Sequence, residues 1–289
     1  MEFNFDNKRI IRVFPRKTLA TPDDSLVAIN RGPNMLDEAD EVHVSVAFTW
    51  DLSLAEKLAE EWKEVAPVLI GGPATGQRSE EFIPGKYMKN GITITSRGCL
   101  NFCWFCFVPK REGVGIRELK IHEGYNIQDD NLLGCSEKHI RDVFSMLRNQ
   151  KEPVVFGGGL EAKLLQQWHV EELVSLKDNL ATVLFAYDTP DDLEPLQQAG
   201  RMLAKAGLIT KDNAVFRCYL LVGFPKDSYG EAEKRIHQAM SAGFCPYIMP
   251  YRDKKGEANE GWKQFRRRWH GMTHIVRSIC VERRRKLFS

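Results

Sequence analysis

Hydrophobic and polar positions alternate with a period of two along EVHVSVAF, residues 41 to 48, a β-branched pattern that predicts a strand. Ser53 and Glu56 have the spacing of a capping box and predict a helix opening near Asp51. PVLIGG, residues 67 to 72, reads as a short buried strand running into glycines. The polar stretch from Gln77 to Asn90, with Pro84 and Gly85, reads as a linker. From Ile92 the strand–helix alternation resumes. The predicted strands are ITIT (92 to 95), YNIQDD (125 to 130), PVVF (153 to 156, ending in three glycines), TVLFAY (182 to 187), FRCYLLVGF (216 to 224) and PYIMPYR (246 to 252). Helices are expected near Ser136, after a Thr189 cap with Pro190 at the first position, and after a Ser228/Glu231 capping box.

Alternation on this scale predicts an α/β chain. Its six strands are expected to form a parallel sheet or a partial (β/α)6 TIM-like barrel, preceded by a small Rossmann-like α/β domain and followed by an amphipathic helix. The corresponding boundaries are 1–88, 89–255 and 256–289. In the last segment Trp262, Phe265, Trp269, Met272, Val276 and Ile279 recur at steps of three and four, one stripe of a helix.

Composition adjusts this picture in three ways. With 289 residues, 43% of them apolar, the chain can bury a large core. No stretch reaches the roughly 20 apolar residues of a membrane helix, and the N-terminal segment lacks a signal-peptide pattern, so the expected location is the cytoplasm, away from membranes. The net charge of +2 hides an asymmetry: nine Lys and Arg against Glu282 alone from Trp262 to Ser289, leaving 32 basic and 38 acidic residues elsewhere. A basic C-terminal face of this kind can steer a phosphate-bearing substrate or nucleic acid, although solvated arginines behind a packed aromatic stripe are the more ordinary reading.

Cysteine usage adds a further adjustment. Of seven, Cys99, Cys103 and Cys106 fall within eight residues, while Cys135, Cys218, Cys245 and Cys280 are scattered singly. An odd number so distributed argues against a disulfide framework. Three thiolates in one loop can hold a four-iron, four-sulfur cube while leaving one iron open to a further ligand. Bacterial ferredoxin spacing and paired zinc knuckles both differ from this pattern. Arg97, Lys110 and Arg111 flank the loop and can offset the charge of a thiolate-ligated cluster.

Cys-x3-Cys-x2-Cys directly after the first of six predicted βα strands, with an aromatic residue before the third cysteine, resembles the radical S-adenosylmethionine (SAM) superfamily. The resemblance implies a 4Fe-4S cluster held by Cys99, Cys103 and Cys106, with SAM on the open iron through its amino and carboxylate groups. One-electron reduction of the sulfonium then gives methionine and a 5'-deoxyadenosyl radical, which abstracts a hydrogen atom from substrate. It implies further that Phe105 lies near adenine, that Asp130 and Asn131 receive the SAM amino group where the family often has Gly-Gly-Glu, and that Gly158 and Gly159 approach the cofactor. Tyr187 and Asp188 are then placed for ribose, and Leu221 and Gly223, in a Gly-Phe-Pro-type segment, for adenine.

Gly71-Gly72-Pro73-Ala74-Thr75 after a strand resembles the subgroup with an N-terminal cobalamin-binding-like domain. The Asp-x-His-x-x-Gly that supplies a lower axial ligand is absent, and His43 sits inside a strand pattern as a packed or edge histidine. The domain therefore reads as shortened and vestigial, with cobalamin not its expected cofactor. The resemblance implies an external one-electron reductant such as flavodoxin or ferredoxin. The residues leave the substrate, a small molecule or nucleotide-type compound, and the outcome open, methyl transfer included. Two other readings of the loop are a non-catalytic iron–sulfur electron-transfer protein and a zinc-dependent nucleic-acid-binding protein. On the radical SAM reading, replacing any one of the three loop cysteines abolishes SAM cleavage, whereas replacing Cys280 does not.

Overall fold

Strands begin before Glu41. The computed structural model describes residues 8–78, 81–210 and 214–271, and the chain divides into two compact units. Residues 1–93, 98–115 and 254–256 make the first, and residues 94–97, 116–253 and 257–289 the second.

In the first unit β1 (Ile10–Phe14), β2 (Val27–Ile29), β3 (Glu41–Ser45) and β4 (Val68–Gly71) form a parallel sheet in the order β2-β1-β3-β4, with α1 (Leu52–Trp62) between β3 and β4. Val13, Val42, Val44 and Val46 pack with Ala55, Leu58, Ala59 and Trp62 into one core. Two sequence expectations change here. PVLIGG forms β4, but at the sheet edge, with Leu69 58% and Ile70 37% exposed, so it is not a buried strand. The Ser53/Glu56 box does not form either. The helix has already started at Leu52, and the Asp51 carboxylate accepts Nε and Nη2 of Arg16 at 2.9 and 2.8 Å instead of capping.

The polar stretch read as a linker is fastened to this unit. Arg12, in the middle of β1 and fully buried, donates from Nη1 to the carbonyls of Gly85 and Lys86, both at 2.9 Å, and pairs with Asp24. Tyr87 and His43 meet at 2.6 Å, while the other His43 nitrogen meets Glu41 at 3.1 Å. His43 is thus a packed histidine, with desolvation lowering its pKa.

The unit's first stretch ends in β5 (Ile92–Thr93). ITIT is thus broken early: a second strand, β6 (Ser96–Cys99), pairs with β7 (Gly115–Glu118) in a two-stranded ribbon, with the short α2 (Val108–Glu112) between them. Cys99 closes the ribbon strand rather than directly following the first strand of the large sheet.

The second unit contains β8 (Asn126–Ile127), α3 (Glu137–Arg148), β9 (Val154–Leu160), α4 (Gln167–Ser175), β10 (Leu180–Ala186), α5 (Leu193–Lys205), β11 (Phe216–Val222), α6 (Tyr229–Ser241), β12 (Cys245–Pro250) and α7 (Glu260–Gly271). The large sheet has six strands in the order β12-β11-β10-β9-β8-β5, and β8 to β12 run parallel. Along β11 the residues Phe216, Cys218, Leu220 and Val222 are buried while Arg217, Tyr219 and Leu221 are only partly so, the period-two signature of a strand whose faces differ. The buried set joins Val183, Phe185, Leu196, Leu203, Ile236 and Phe244 in a single core. The helix starts were legible: Ser136 Oγ accepts the His139 N–H, Ser228 Oγ accepts the Glu231 N–H, and Thr189 donates to Asp192 from both N–H and Oγ1 ahead of Pro190. The three glycines do not end their strand. β9 continues through them to Leu160, with a register irregularity against β10.

On α7, Phe265 and Trp269 are buried in this core, as the aromatic stripe predicts, and Trp262 packs against it. Met272, Val276, Ile279, Cys280 and the basic residues beyond Arg268 lie outside the described residues. No helix among the described residues is long and apolar enough to cross a membrane.

Candidate functional site

The cysteine loop runs from the end of β6 to the start of α2. Cys99, Cys103 and Cys106 are half-buried thiols. The Asn101 N–H donates to Cys99 Sγ at 3.4 Å, and the Cys106 N–H donates to the Cys103 carbonyl at 3.0 Å, closing a turn over residues 103–106. Phe105 is half-buried and stands edge-on to Trp104, ring centroids 5.5 Å apart. Leu100, Phe102 and Trp104, in contrast, are 52, 69 and 56% exposed. Arg111 pairs with the buried Glu112 at 2.8 Å. Among the described residues no group of three or more His, Cys, Asp or Glu side chains is gathered as a metal site. The loop's fit to an iron–sulfur cluster is therefore one of donor chemistry and spacing, three soft thiols on an irregular segment.

Of the other residues singled out by sequence, Asp130 and Asn131 follow β8, Gly158 and Gly159 lie within the last residues of β9, Tyr187 and Asp188 follow β10, Leu221 is the penultimate residue of β11 and Gly223 follows it; ligand sites form at these ends of parallel strands. After β8, Asp130 lies 3.7 Å from Arg97, and Asn131 donates to Glu161 at 2.6 Å. Asp129, the second of two residues between the strand and Asp130, was not singled out by sequence reasoning. It is 2% exposed and accepts the Thr95 N–H and Oγ1–H at 2.6 Å each and the Ser96 Oγ–H at 2.7 Å. Burial raises its pKa, against the pull of these donors.

On β9, Gly158 is explained by its neighbour: a Cβ there would sit 2.0 Å from the Asp129 carbonyl oxygen. Gly159 lies near the ring of Tyr219, whose hydroxyl donates to the Gly157 carbonyl at 3.0 Å.

Asp188 and Leu221 are brought together, whereas Gly223 is bonded to Asp227. The Leu221 N–H donates to Asp188 Oδ1 at 2.9 Å, and the Gly223 N–H to Asp227 Oδ2 at 2.7 Å. Arg235 on α6 reaches both Asp227, at 2.9 Å, and the Leu221 carbonyl, at 3.2 Å, and lies over the Phe224 ring. Gly223 itself has a φ of 76°, and a side chain there would run into the Trp262 ring at 2.5 Å. Burial pushes the Asp188 carboxyl up to about 6. Tyr187 does not join this group: it is 3% exposed and its hydroxyl donates to Gln238 on α6 at 2.8 Å, which places it in the core. Asp227 and Arg235, which build the loop after β11, carried no sequence signal beyond their charge.

No protein-family model matches the chain, and neither does any curated protein. Among solved structures it is similar to a radical S-adenosylmethionine methyltransferase, TsrM, from Kitasatospora setae, determined with cobalamin and a 4Fe-4S cluster bound. The likeness is one of fold. The TM-score is 0.55 at 11% identity, over 83% of this chain and 74% of that one.

Proposed function

We propose that this chain is a radical SAM enzyme. The observation that carries the reading is the loop of three thiols, Cys99, Cys103 and Cys106, on an α/β chain whose fold resembles a solved radical SAM methyltransferase. A cluster held there supplies, with SAM on its open iron, one-electron cleavage of the sulfonium and a 5'-deoxyadenosyl radical for hydrogen abstraction. The chain's part is to bind and orient. Phe105 offers an aromatic face to adenine, Asp130 and Asn131 offer polar groups after β8, Gly158 and Gly159 offer backbone, and Asp188 with Leu221 and Gly223 offers a hydrogen-bonded edge after β10 and β11. The Tyr187 hydroxyl is omitted from this set because Gln238 already accepts it.

The exposed Leu100, Phe102 and Trp104 beside the thiols suit a transient contact with an external one-electron donor such as flavodoxin or ferredoxin. The substrate in this reading is a small molecule or nucleotide-type compound. Cobalamin is left out: one His43 ring nitrogen is engaged by Tyr87 and the other by Glu41.

Anaerobic reconstitution tests the proposal. Expected are about four iron ions and four sulfides per chain, a cluster spectrum altered by SAM, and 5'-deoxyadenosine on reduction. Zinc without sulfide, or a cluster indifferent to SAM, refutes it. Separating 5'-deoxyadenosine from S-adenosylhomocysteine distinguishes hydrogen abstraction alone from methyl transfer.

A further inference from the structure

The turn after β11 carries two left-handed residues. Gly223 has a φ of 76° and Lys226 of 72°, and among the described residues Asn30 is the one other non-glycine with a positive φ. The Asp227 N–H donates to the Phe224 carbonyl at 2.9 Å and closes a turn with Pro225 and Lys226 at its centre. Glycine or asparagine is favoured at that third position, and a lysine there is strained unless its surroundings hold it. Asp227 and Arg235, in the same unit as the turn, do the holding. Asp227 Oδ2 accepts the Gly223 N–H at 2.7 Å and Nη2 of Arg235 at 2.9 Å, and Oδ1 accepts the Ser228 N–H at 3.0 Å. Arg235 Nη2 donates also to the Leu221 carbonyl at 3.2 Å, and its guanidinium lies over the Phe224 ring. The two side chains are only 1 and 11% exposed, yet Arg235 Nε has no partner among the described residues. A buried ion pair left partly unsatisfied is a poor source of stability, but it can define a geometry.

We propose that Asp227 and Arg235 are positioning residues for the end of β11: by holding the strained turn they fix the backbone edge from Leu221 to Gly223. The inference rests on the radical SAM reading for its ligand, SAM, whereas the lock is a property of the second unit alone. Most of that edge is already claimed. The Leu221 N–H donates to Asp188 and its carbonyl accepts from Arg235; the Val222 carbonyl accepts the Tyr251 N–H at 2.8 Å, and the Gly223 N–H donates to Asp227. The Gly223 carbonyl, to which no described residue donates, is the acceptor left for a ligand. Its direction follows the torsions of the turn.

The test compares wild type with Asp227→Asn, Arg235→Lys, Lys226→Gly and the double variant Lys226→Gly/Asp227→Asn. In the chain before reconstitution, amide hydrogen exchange over residues 221–227 is expected to quicken in Asp227→Asn and Arg235→Lys. After reconstitution their iron, sulfide and SAM-free cluster spectrum should match wild type, while the Kd for SAM by equilibrium dialysis rises about 10-fold, the worth of one hydrogen bond. Lys226→Gly should bind SAM as wild type does. In its background Asp227→Asn should cost less, because glycine takes the left-handed conformation without being held there. If Asp227→Asn does not fold, Arg235→Lys decides, since it keeps the cation and loses only the fork. Wild-type exchange in both lock variants overturns the lock. Faster exchange with an unchanged Kd, or a penalty undiminished by Lys226→Gly, overturns the positioning role. Wild type that takes up no cluster, or holds one and binds no SAM, refutes the radical SAM reading instead, and the exchange result then judges the lock.

Discussion

The Asp188 carboxylate accepts the backbone N–H of Leu221 at 2.9 Å and thereby ties the end of β10 to the end of β11. Its carboxyl is nevertheless pushed up to about 6, from 3.8, because burial outweighs that bond; Asp192 adds to the rise and Arg235 opposes it. Between these two values the folded chain holds a proton that the unfolded chain has lost. The contribution of Asp188 to stability is therefore greatest below the lower value and declines as pH rises to about 6. Asp188→Asn keeps an acceptor for Leu221 and removes the titration. Urea unfolding at several pH values is expected to show the variant gaining on wild type by about 1–3 kcal/mol between acid and neutral pH. A constant difference across that range would contradict the assignment.

Removing the buried guanidinium of β1 should be costly. Arg12→Ala leaves the Gly85 and Lys86 carbonyls and Asp24 without that donor. Breaking a buried pair from one side costs about 3–5 kcal/mol, read as a fall in the denaturant midpoint at unchanged slope.

Two glycine replacements should differ sharply. Gly158→Ala drives a methyl group into the Asp129 backbone and is expected to lose about 1–3 kcal/mol. Gly71→Ala adds a methyl that meets nothing within 4 Å, and its expected change lies within about 0.5 kcal/mol. Thermal melts of the two variants make the comparison.

Cysteine replacements separate the loop from the core. Cys103→Ala is expected to abolish cluster-dependent SAM cleavage and lower bound iron. Cys218→Ala, at a fully buried thiol whose pKa burial raises well above its ordinary value, should retain both. Iron and sulfide analysis with 5'-deoxyadenosine quantification checks the pair, and unchanged cleavage in Cys103→Ala would refute the assigned role.

What sequence could and could not reveal follows the range of the forces involved. Ser136 and Ser228 were legible as helix starts because a cap bonds an N–H three residues away. The three cysteines drew attention because their spacing is confined to eight residues. β1 escaped notice because IIRVF places an arginine at its centre, and the groups that justify burying Arg12 lie at 24, 85 and 86. Asp129 escaped for the same reason, its donors being more than 30 residues upstream, whereas the adjacent Asp130 and Asn131 drew attention by position alone. The Ser53 cap was misread because the chain already turns at Thr49–Asp51 and is helical from Leu52, which puts Ser53 inside the helix.

The first unit closes with residues 254–256, which follow β12. Gly256 lies against Trp50, close enough that a Cβ would touch the ring at 2.4 Å. During synthesis the N-terminal sheet therefore waits for its last contacts until every strand of the second sheet has been translated. A fragment cut at residue 93 leaves the Trp50 ring uncovered on that side, so gene fragments and domain swaps should carry residues 98–115 and 254–256 along with the N-terminal segment.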